Sequence, residues 1–171
     1  MAELAALRPD PAPLPGVHRL DLAVLSLHRL RRFGADLPAL GPLSASHAVG
    51  QAARAEGLLL AAPAPGEWLL LGPHAEVAKL ARTQDPAAFL VLEIGEACAA
   101  FRLAPALGAE ALAVYGPIDP ATCVPGTGTR AQFAEMTALL IAEPDGALMM
   151  LVDAVDADHL LALLALLNPN S

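Results

Sequence analysis

The chain has 171 residues, of which 56% are hydrophobic and only 16% charged, and its formal net charge is −8. The acidic balance excludes a nucleic-acid-binding surface, because phosphate recognition requires a basic one. The richest apolar run, residues 160–167, is far shorter than the roughly 18–20 residues of a membrane-spanning helix, and the first residues do not follow the pattern of a secretory signal. We therefore expect a soluble cytoplasmic protein whose apolar surface is partly covered by a partner.

Two regions are expected along the chain. Residues 1–16 contain four alternating prolines, which predict an extended N-terminal arm. Residues 17–171 are predicted to form a single α+β domain. Its first half is predicted to begin with a strand at Val17 and a loop over 33–44, followed by a helix over 47–56 capped by Ser44 or Ser46. Two strands, over 58–60 and 67–71, and a helix from Pro73 to about Arg82 are predicted to complete it.

The second half is predicted to contain two hairpins and two helices. Strands 87–94 and 97–103 are expected to pair across Gly95-Glu96, and strands 137–142 and 147–153 across the turn at 144–146. The helices are 107–115 and 157–167, the second capped by Asp156, and a Pro/Gly-rich loop occupies 117–129. This order indicates an antiparallel β-sheet with helices packed on one side. The last helix is apolar on nearly every face, so it is expected to be buried in its own core or against another chain.

No pattern of catalytic or metal-binding residues is complete. His74-Ala75-Glu76 matches part of a zinc-deaminase signature, but the Pro-Cys-x-x-Cys pair is missing. Residues 126–131 match Gly-x-Gly-x-x-Ala, yet they precede a strand instead of opening a helix. Cys98 and Cys123 lack metal-site spacing, and no serine lies in a Gly-x-Ser-x-Gly turn. The sequence therefore predicts neither a catalytic residue nor a metal site, and it assigns no cofactor-binding residue.

The single tryptophan, Trp68, stands at the head of a leucine run. A tryptophan there is suited to a ligand pocket, an interface or a core. Because no acid–base pair or metal-ligand set converges on this position, we expect Trp68 to anchor the sheet.

Three segments, taken in order, resemble the gamma subunit of heterotetrameric sarcosine oxidase over residues 58–167. "PGEWLLLGP" is similar to its Gly-Pro-Asp-Glu-Trp-Leu-Leu motif, and "VLEIGEACAAFRLAPALGAEALAVYGPIDP" is similar to a strand–turn–strand–helix stretch ending in Cys-Pro-Leu-Asp-Leu. The segment that begins "VPGTGTRAQF" and ends "HLLALLALL" resembles its Pro-Gly loop, hairpin and closing helix. The matching family-motif and interface candidates are Glu67, Trp68, Asp119, Pro125 and Gly126.

The sequence departs from the family's pattern at three places. The family's Asp-x-Ser-Asp-Gly-Arg turn is replaced by the segment 93–97, the cysteine before the Pro-Leu-Asp segment by Tyr115 or Gly116, and the threonine after the Pro-Gly loop by Ala131. These differences favour a divergent member of the family or a subunit of a related demethylating flavoenzyme.

The resemblance implies a fragment of the folate-binding fold of aminomethyltransferases and a structural subunit without its own active site. The complex would oxidise sarcosine or a related N-methyl amine and transfer the one-carbon unit to tetrahydrofolate. FAD, FMN, NAD, zinc and tetrahydrofolate would then belong to partner subunits, including a large and a small flavin subunit. The alternative is a folate-binding module that acts on its own, with Asp119 or Glu67 holding the pterin. A stand-alone enzyme would need an acid–base pair that the sequence does not offer.

Overall fold

The computed structural model describes residues 14–34, 36–45, 48–116 and 118–168. Most of the expected arm, residues 1–13, lies outside the described residues. The strands are β1 (Val17–Arg19), β2 (Leu25–Arg32), β3 (Gln51–Ala55), β4 (Leu58–Ala64), β5 (Glu67–Pro73), β6 (Phe89–Glu93), β7 (Cys98–Leu103), β8 (Gly128–Phe133), β9 (Met136–Ala142) and β10 (Leu148–Asp153). The helices are α1 (His74–Arg82), α2 (Pro105–Tyr115) and α3 (Ala157–Leu166). No helix in these ranges combines the length and apolar character needed to cross a membrane.

The strands form two five-stranded antiparallel sheets. Sheet I has the order β1-β7-β10-β9-β8, and sheet II has the order β3-β4-β5-β2-β6. The chain passes from sheet I to sheet II between β1 and β2 and returns to sheet I between β6 and β7. The last four strands, β7 to β10, all lie in sheet I. The expected α+β class and antiparallel pairing are confirmed, with the strands shared between two sheets.

The two sheets pack face to face, with two helices on the outer face of sheet I and one on the outer face of sheet II. The core between the sheets includes Leu27 and Leu71 of sheet II and Leu139 and Met149 of sheet I. The outer face of sheet I packs against α2 and α3, which contribute Leu112, Leu160 and Leu164 among others. The outer face of sheet II packs against α1 and residues 40–43, around Val77 and Trp68. Burial of apolar side chains in three successive layers accounts for the high hydrophobic content.

The expected helix over 47–56 is wrong where the structure describes it. Residues 51–55 form β3, which pairs with β4, and Ser46 and His47 lie outside the described residues. Glu56 and Gly57 both have positive φ, 52° and 78°, and they form the two-residue turn of a tight β-hairpin. The alanines of this segment favour a helix in isolation, but pairing with the leucine strand outweighs that preference.

The expected hairpin between 87–94 and 97–103 is also wrong. β6 pairs with β2 in sheet II, whereas β7 lies between β1 and β10 in sheet I. Residues Gly95–Ala97 form a 3₁₀ turn that carries the chain between the sheets. The burial of the two strands agrees with these positions. Ala100 and Phe101 of β7, a central strand, are buried on opposite faces, whereas β6, an edge strand, has exposed leucines.

Several other boundaries agree with the sequence or shift by a few residues. The β9–β10 hairpin turns on 144–146 as expected. Pro73 ends β5 and occupies the N-cap position of α1, so the helix begins at His74, one residue later than expected. Asp156 occupies the N-cap position of α3 without a side-chain capping bond. The expected loop 117–129 gives way at Gly128 to β8, and the first strand is divided into β1 and β2.

Candidate functional site

Trp68 lies in the core of sheet II. It is 1% exposed, and its ring packs edge-to-face against Phe89 with centroids 6.4 Å apart. Its backbone pairs with Leu30 of the central strand β2. The expectation that Trp68 anchors the sheet is confirmed, because it links three neighbouring strands under α1.

Glu67 points to the opposite side of β5, toward sheet I, since successive side chains in a strand alternate. Its Oε1 accepts a hydrogen bond from Arg130 Nη2 of β8 at 2.8 Å. Arg29 Nε of β2 lies 3.7 Å from the same oxygen, too far for a hydrogen bond but close enough for attraction between the charges. This Arg29 Nε is buried and has no hydrogen-bond partner in the described part of the chain. Glu67 therefore joins the two sheets electrostatically.

A second ion pair joins the sheets where β3 lies near the end of β9. Arg54 of β3 donates to the Glu143 carboxylate, which is nearly buried. Neither residue was singled out from the sequence. The sequence feature that could have identified them is a charged residue next to apolar ones. Arg54 lies among the alanines of β3, and Glu143 directly follows β9.

The Pro125-Gly126 loop connects the edges of the two sheets through its backbone. Gly126 has φ +89°, a conformation that favours glycine, and its carbonyl accepts from the N–H of Ala52 in β3 at 2.8 Å. Two residues later, a Cβ on Gly128 would lie 3.3 Å from the Cβ atoms of Ala52 and Ala61. The glycines of this loop are therefore required by backbone conformation and close packing, which supplies a structural reason for the motif.

Asp119 is exposed and stabilises its own turn. Its Oδ1 accepts from the N–H of Ala121 at 2.9 Å, and its carbonyl accepts from the Thr122 hydroxyl at 2.8 Å. It thereby caps the 3₁₀ turn Pro120–Thr122. The five candidate residues do not form one site: Glu67 and the Pro125-Gly126 loop join the sheets, Trp68 lies on the other face of sheet II, and Asp119 holds a separate turn.

An open cleft of about 1310 Å³ lies at the end of the sandwich where the chain crosses between the sheets. Its lining includes the ionisable residues Arg19, Asp21, His74, Glu93 and Glu96. Two of the carboxylates are already engaged: Asp21 Oδ1 accepts from a backbone N–H at 2.8 Å, and Glu93 Oε1 accepts from the Ser26 hydroxyl at 2.9 Å. Within the described residues, no group of three or more histidine, cysteine or acidic side chains is arranged to hold a metal ion.

Burial is the main cause of the pKa shifts of His28, of Cys98 in the cleft lining and of Cys123 beside Asp119. Burial lowers the pKa of His28; the attraction of Glu93 opposes this shift and the repulsion of His74 adds to it. Its Nδ1 has no hydrogen-bond partner among the described residues. Burial raises the pKa of the Cys98 thiol, with Asp153 adding to the effect, and burial with Asp119 raises that of Cys123. Raised thiol pKa values make both cysteines weak nucleophiles.

Comparisons with known proteins give one informative result. No family model matches the sequence, and the search of curated proteins gives no significant match. Among solved structures, a chain of the heterotetrameric sarcosine oxidase from Corynebacterium sp. U-96, determined in complex with pyrrole 2-carboxylate, is similar with a TM-score of 0.69 and 19% sequence identity. The similarity covers 86% of this chain and 80% of that chain. The protein has the fold of a sarcosine oxidase chain. At this identity the likeness establishes the fold alone.

Proposed function

We propose that this chain is a non-catalytic structural subunit of a heteromeric, sarcosine-oxidase-like flavoenzyme complex. The observation that carries the proposal is the fold shared over most of both chains with one chain of a heterotetrameric enzyme. The motif residues support a structural function, because Glu67 and the Pro125-Gly126 loop join the two sheets and Trp68 packs in the core of sheet II. The complex would act on sarcosine or a related N-methyl amine.

In this proposal the chemistry belongs to the partner subunits. The partner subunits, which include a large and a small flavin subunit, would carry FAD, FMN, NAD and zinc, and the complex would transfer the one-carbon unit to tetrahydrofolate. This chain would correspond to the gamma subunit and would stabilise the assembly.

Co-expression with the flavin subunits of the same organism tests the proposal. We expect the chain alone to be insoluble or oligomeric, and to become soluble and co-purify at a fixed ratio when the large flavin subunit is present. Sarcosine oxidation by the purified assembly can be measured through the peroxide that it releases. When this chain is omitted, we expect the assembly to lose this activity at a lower temperature. A well-behaved monomer with no affinity for the flavin subunits would contradict the proposal.

The alternative, a folate-binding module acting alone, lacks an observation in its favour. Glu67 lies against two arginines, and Asp119 caps its own turn, so both expected pterin-binding carboxylates already have partners within the chain. Calorimetry of the isolated chain with tetrahydrofolate distinguishes the two proposals, since saturable heat would favour the binding module.

A further inference from the structure

Strand β6 forms an edge of sheet II and has an exposed apolar face. It pairs only with β2 among the strands of the structure, and its Leu90 and Leu92 are 40% and 44% exposed. On β2, the residues opposite these leucines are Arg31 and Arg29. Cross-strand partners lie on the same face of a sheet, so leucines and arginines form one mixed surface.

This surface extends the face of sheet II that packs against sheet I. Leu27, Arg29 and Arg31 alternate along β2, and Leu27 is fully buried between the sheets. Phe33 continues the series beyond the strand and is 67% exposed. Sheet I therefore covers this face at Leu27 but leaves it open toward β6. We call Arg29, Arg31, Phe33, Leu90 and Leu92 the β6 strip.

The backbone at this edge is oriented to accept another strand. Ile94 N donates to Leu27 O at 2.9 Å, and Phe33 N donates to Ala88 O at 2.8 Å. These bonds fix the alternation of the antiparallel ladder, in which the N–H and C=O of Val91 point away from β2. In the described part of the chain, no backbone hydrogen bond occupies Val91 on that side. β6 contains no proline, lysine or bulge that would discourage pairing at an edge.

We propose that the β6 strip docks an extended segment of a partner polypeptide, which adds to sheet II as a further strand beside β6. The segment would place apolar side chains over Leu90 and Leu92 and acidic side chains toward Arg29 and Arg31. The inference rests on the proposed function in a heteromeric complex. Strand addition of this kind obtains affinity from main-chain hydrogen bonds and specificity from alternate side chains.

Charge determines the kind of partner. The chain carries a net charge of −8, yet the charged members of the β6 strip are both arginines. Arg29 lies 3.7 Å from a carboxylate that is hydrogen-bonded to Arg130, and no ion pair is found for Arg31 within the described residues. Two β6 strands paired across a two-fold axis would bring four arginines onto one face, and like charges there oppose association. An acidic, apolar segment fits the strip better than a second copy does.

The test uses the full chain, kept in solution as a fusion to a soluble carrier protein because the chain alone is expected to be insoluble or oligomeric. The probe is a short synthetic peptide of alternating valine and glutamate, with a valine–lysine peptide as the matched probe. Calorimetry should show saturable binding of the glutamate peptide and at least about tenfold weaker binding of the lysine peptide, equivalent to about 1.4 kcal/mol. Leu92→Glu and Val91→Pro should each abolish binding, the second by removing an edge N–H that the fold does not use. Val114→Glu, at an exposed position of α2, is the control and should bind as wild type.

Three results with the isolated chain would overturn the inference, and so would one result with the assembly. The first is no saturable binding of the glutamate peptide at millimolar concentration, and the second is equal binding of both peptides. The third is a concentration-dependent dimer in sedimentation that Leu92→Glu abolishes, which would assign the strip to a second copy. If the Leu92→Glu variant co-purifies with the flavin subunits as wild type does, the β6 strip is not the docking surface, and the proposed function stands. If wild-type chain fails to co-purify, the proposed function is wrong, whereas the peptide titration still decides the strip.

Discussion

Replacing Glu67 with glutamine removes the negative charge that joins the two sheets while keeping the shape of the side chain. In the native protein Glu67 Oε1 accepts from Arg130 Nη2 at 2.8 Å and lies 3.7 Å from Arg29 Nε. A glutamine oxygen can still accept one N–H, but the two guanidinium charges would no longer be neutralised. We therefore expect Glu67→Gln to lower the free energy of unfolding.

The magnitude follows from how far water reaches the pair. A hydrogen bond to a charged partner contributes about 1.5–3 kcal/mol, whereas an exposed ion pair contributes about 0–1 kcal/mol. The Glu67 side chain is 14% exposed, but those of Arg29 and Arg130 are 42% and 37% exposed. Water therefore screens the arginines more than it screens Glu67. We expect Glu67→Gln to lower the free energy of unfolding by about 1–2 kcal/mol.

Urea unfolding measures this loss, and a double-mutant cycle with Arg130→Met isolates the pair. The coupling free energy should be about 1 kcal/mol. Glu110→Gln, which removes an exposed carboxylate on α2, should remain within about 0.5 kcal/mol of wild type. Equal unfolding midpoints for Glu67→Gln and Glu110→Gln, or a coupling of zero, would refute the inter-sheet function of Glu67.

Three further predictions follow from burial. Trp68→Ala should destabilise the protein by about 3–5 kcal/mol in urea unfolding, and wild-type tryptophan emission should be blue-shifted, as in a dry core; emission typical of exposed tryptophan would contradict the assignment. Gly128→Val should cost about 1–3 kcal/mol because its Cβ would press on Ala52 and Ala61, whereas a value near zero would show that the loop yields. Because burial lowers the pKa of His28 below its ordinary 6.5, its contribution to stability is present above that value and is lost as pH falls through the folded-state pKa. NMR titration should give a His28 pKa below 6.5, and a value at or above it would contradict this direction.

The sequence predicted those elements whose pattern is local. The β9–β10 hairpin has its turn residues between two apolar runs, and α2 has Leu107 and Ala111 inward at i and i+4. Both were placed correctly, with the start of α2 two residues earlier than predicted. The leucine runs at 58–60 and 67–71 likewise became the buried strands β4 and β5.

Elements whose own residues carry a weak or misleading pattern were not predictable in this way. β3 has an alanine-rich sequence and becomes a strand because β4 pairs with it. β8 alternates weakly, since Thr129 and Arg130 are both exposed at its start, and it was assigned in part to a loop. β6 and β7 lie on either side of a crossover, and the short spacing between them suggested a hairpin instead.

The candidate residues follow the same division. Trp68 was placed in the core correctly, because a large aromatic in a leucine run has few other uses in a chain without an active-site pattern. The partners of Glu67 were not foreseen, since Arg29 and Arg130 are separated from it by 38 and 63 positions and meet it only when the sheets pack. Charged residues at inward-facing strand positions are the signal that would have identified them.

The proposed subunit function is tested most directly by native mass spectrometry of the assembly recovered through an affinity tag on this chain, from cells that also express the flavin subunits. The account predicts one complex in which this chain and flavin-bearing chains are present at a fixed ratio. Recovery of this chain alone, or only with copies of itself, while the flavin subunits assemble without it, would contradict the account.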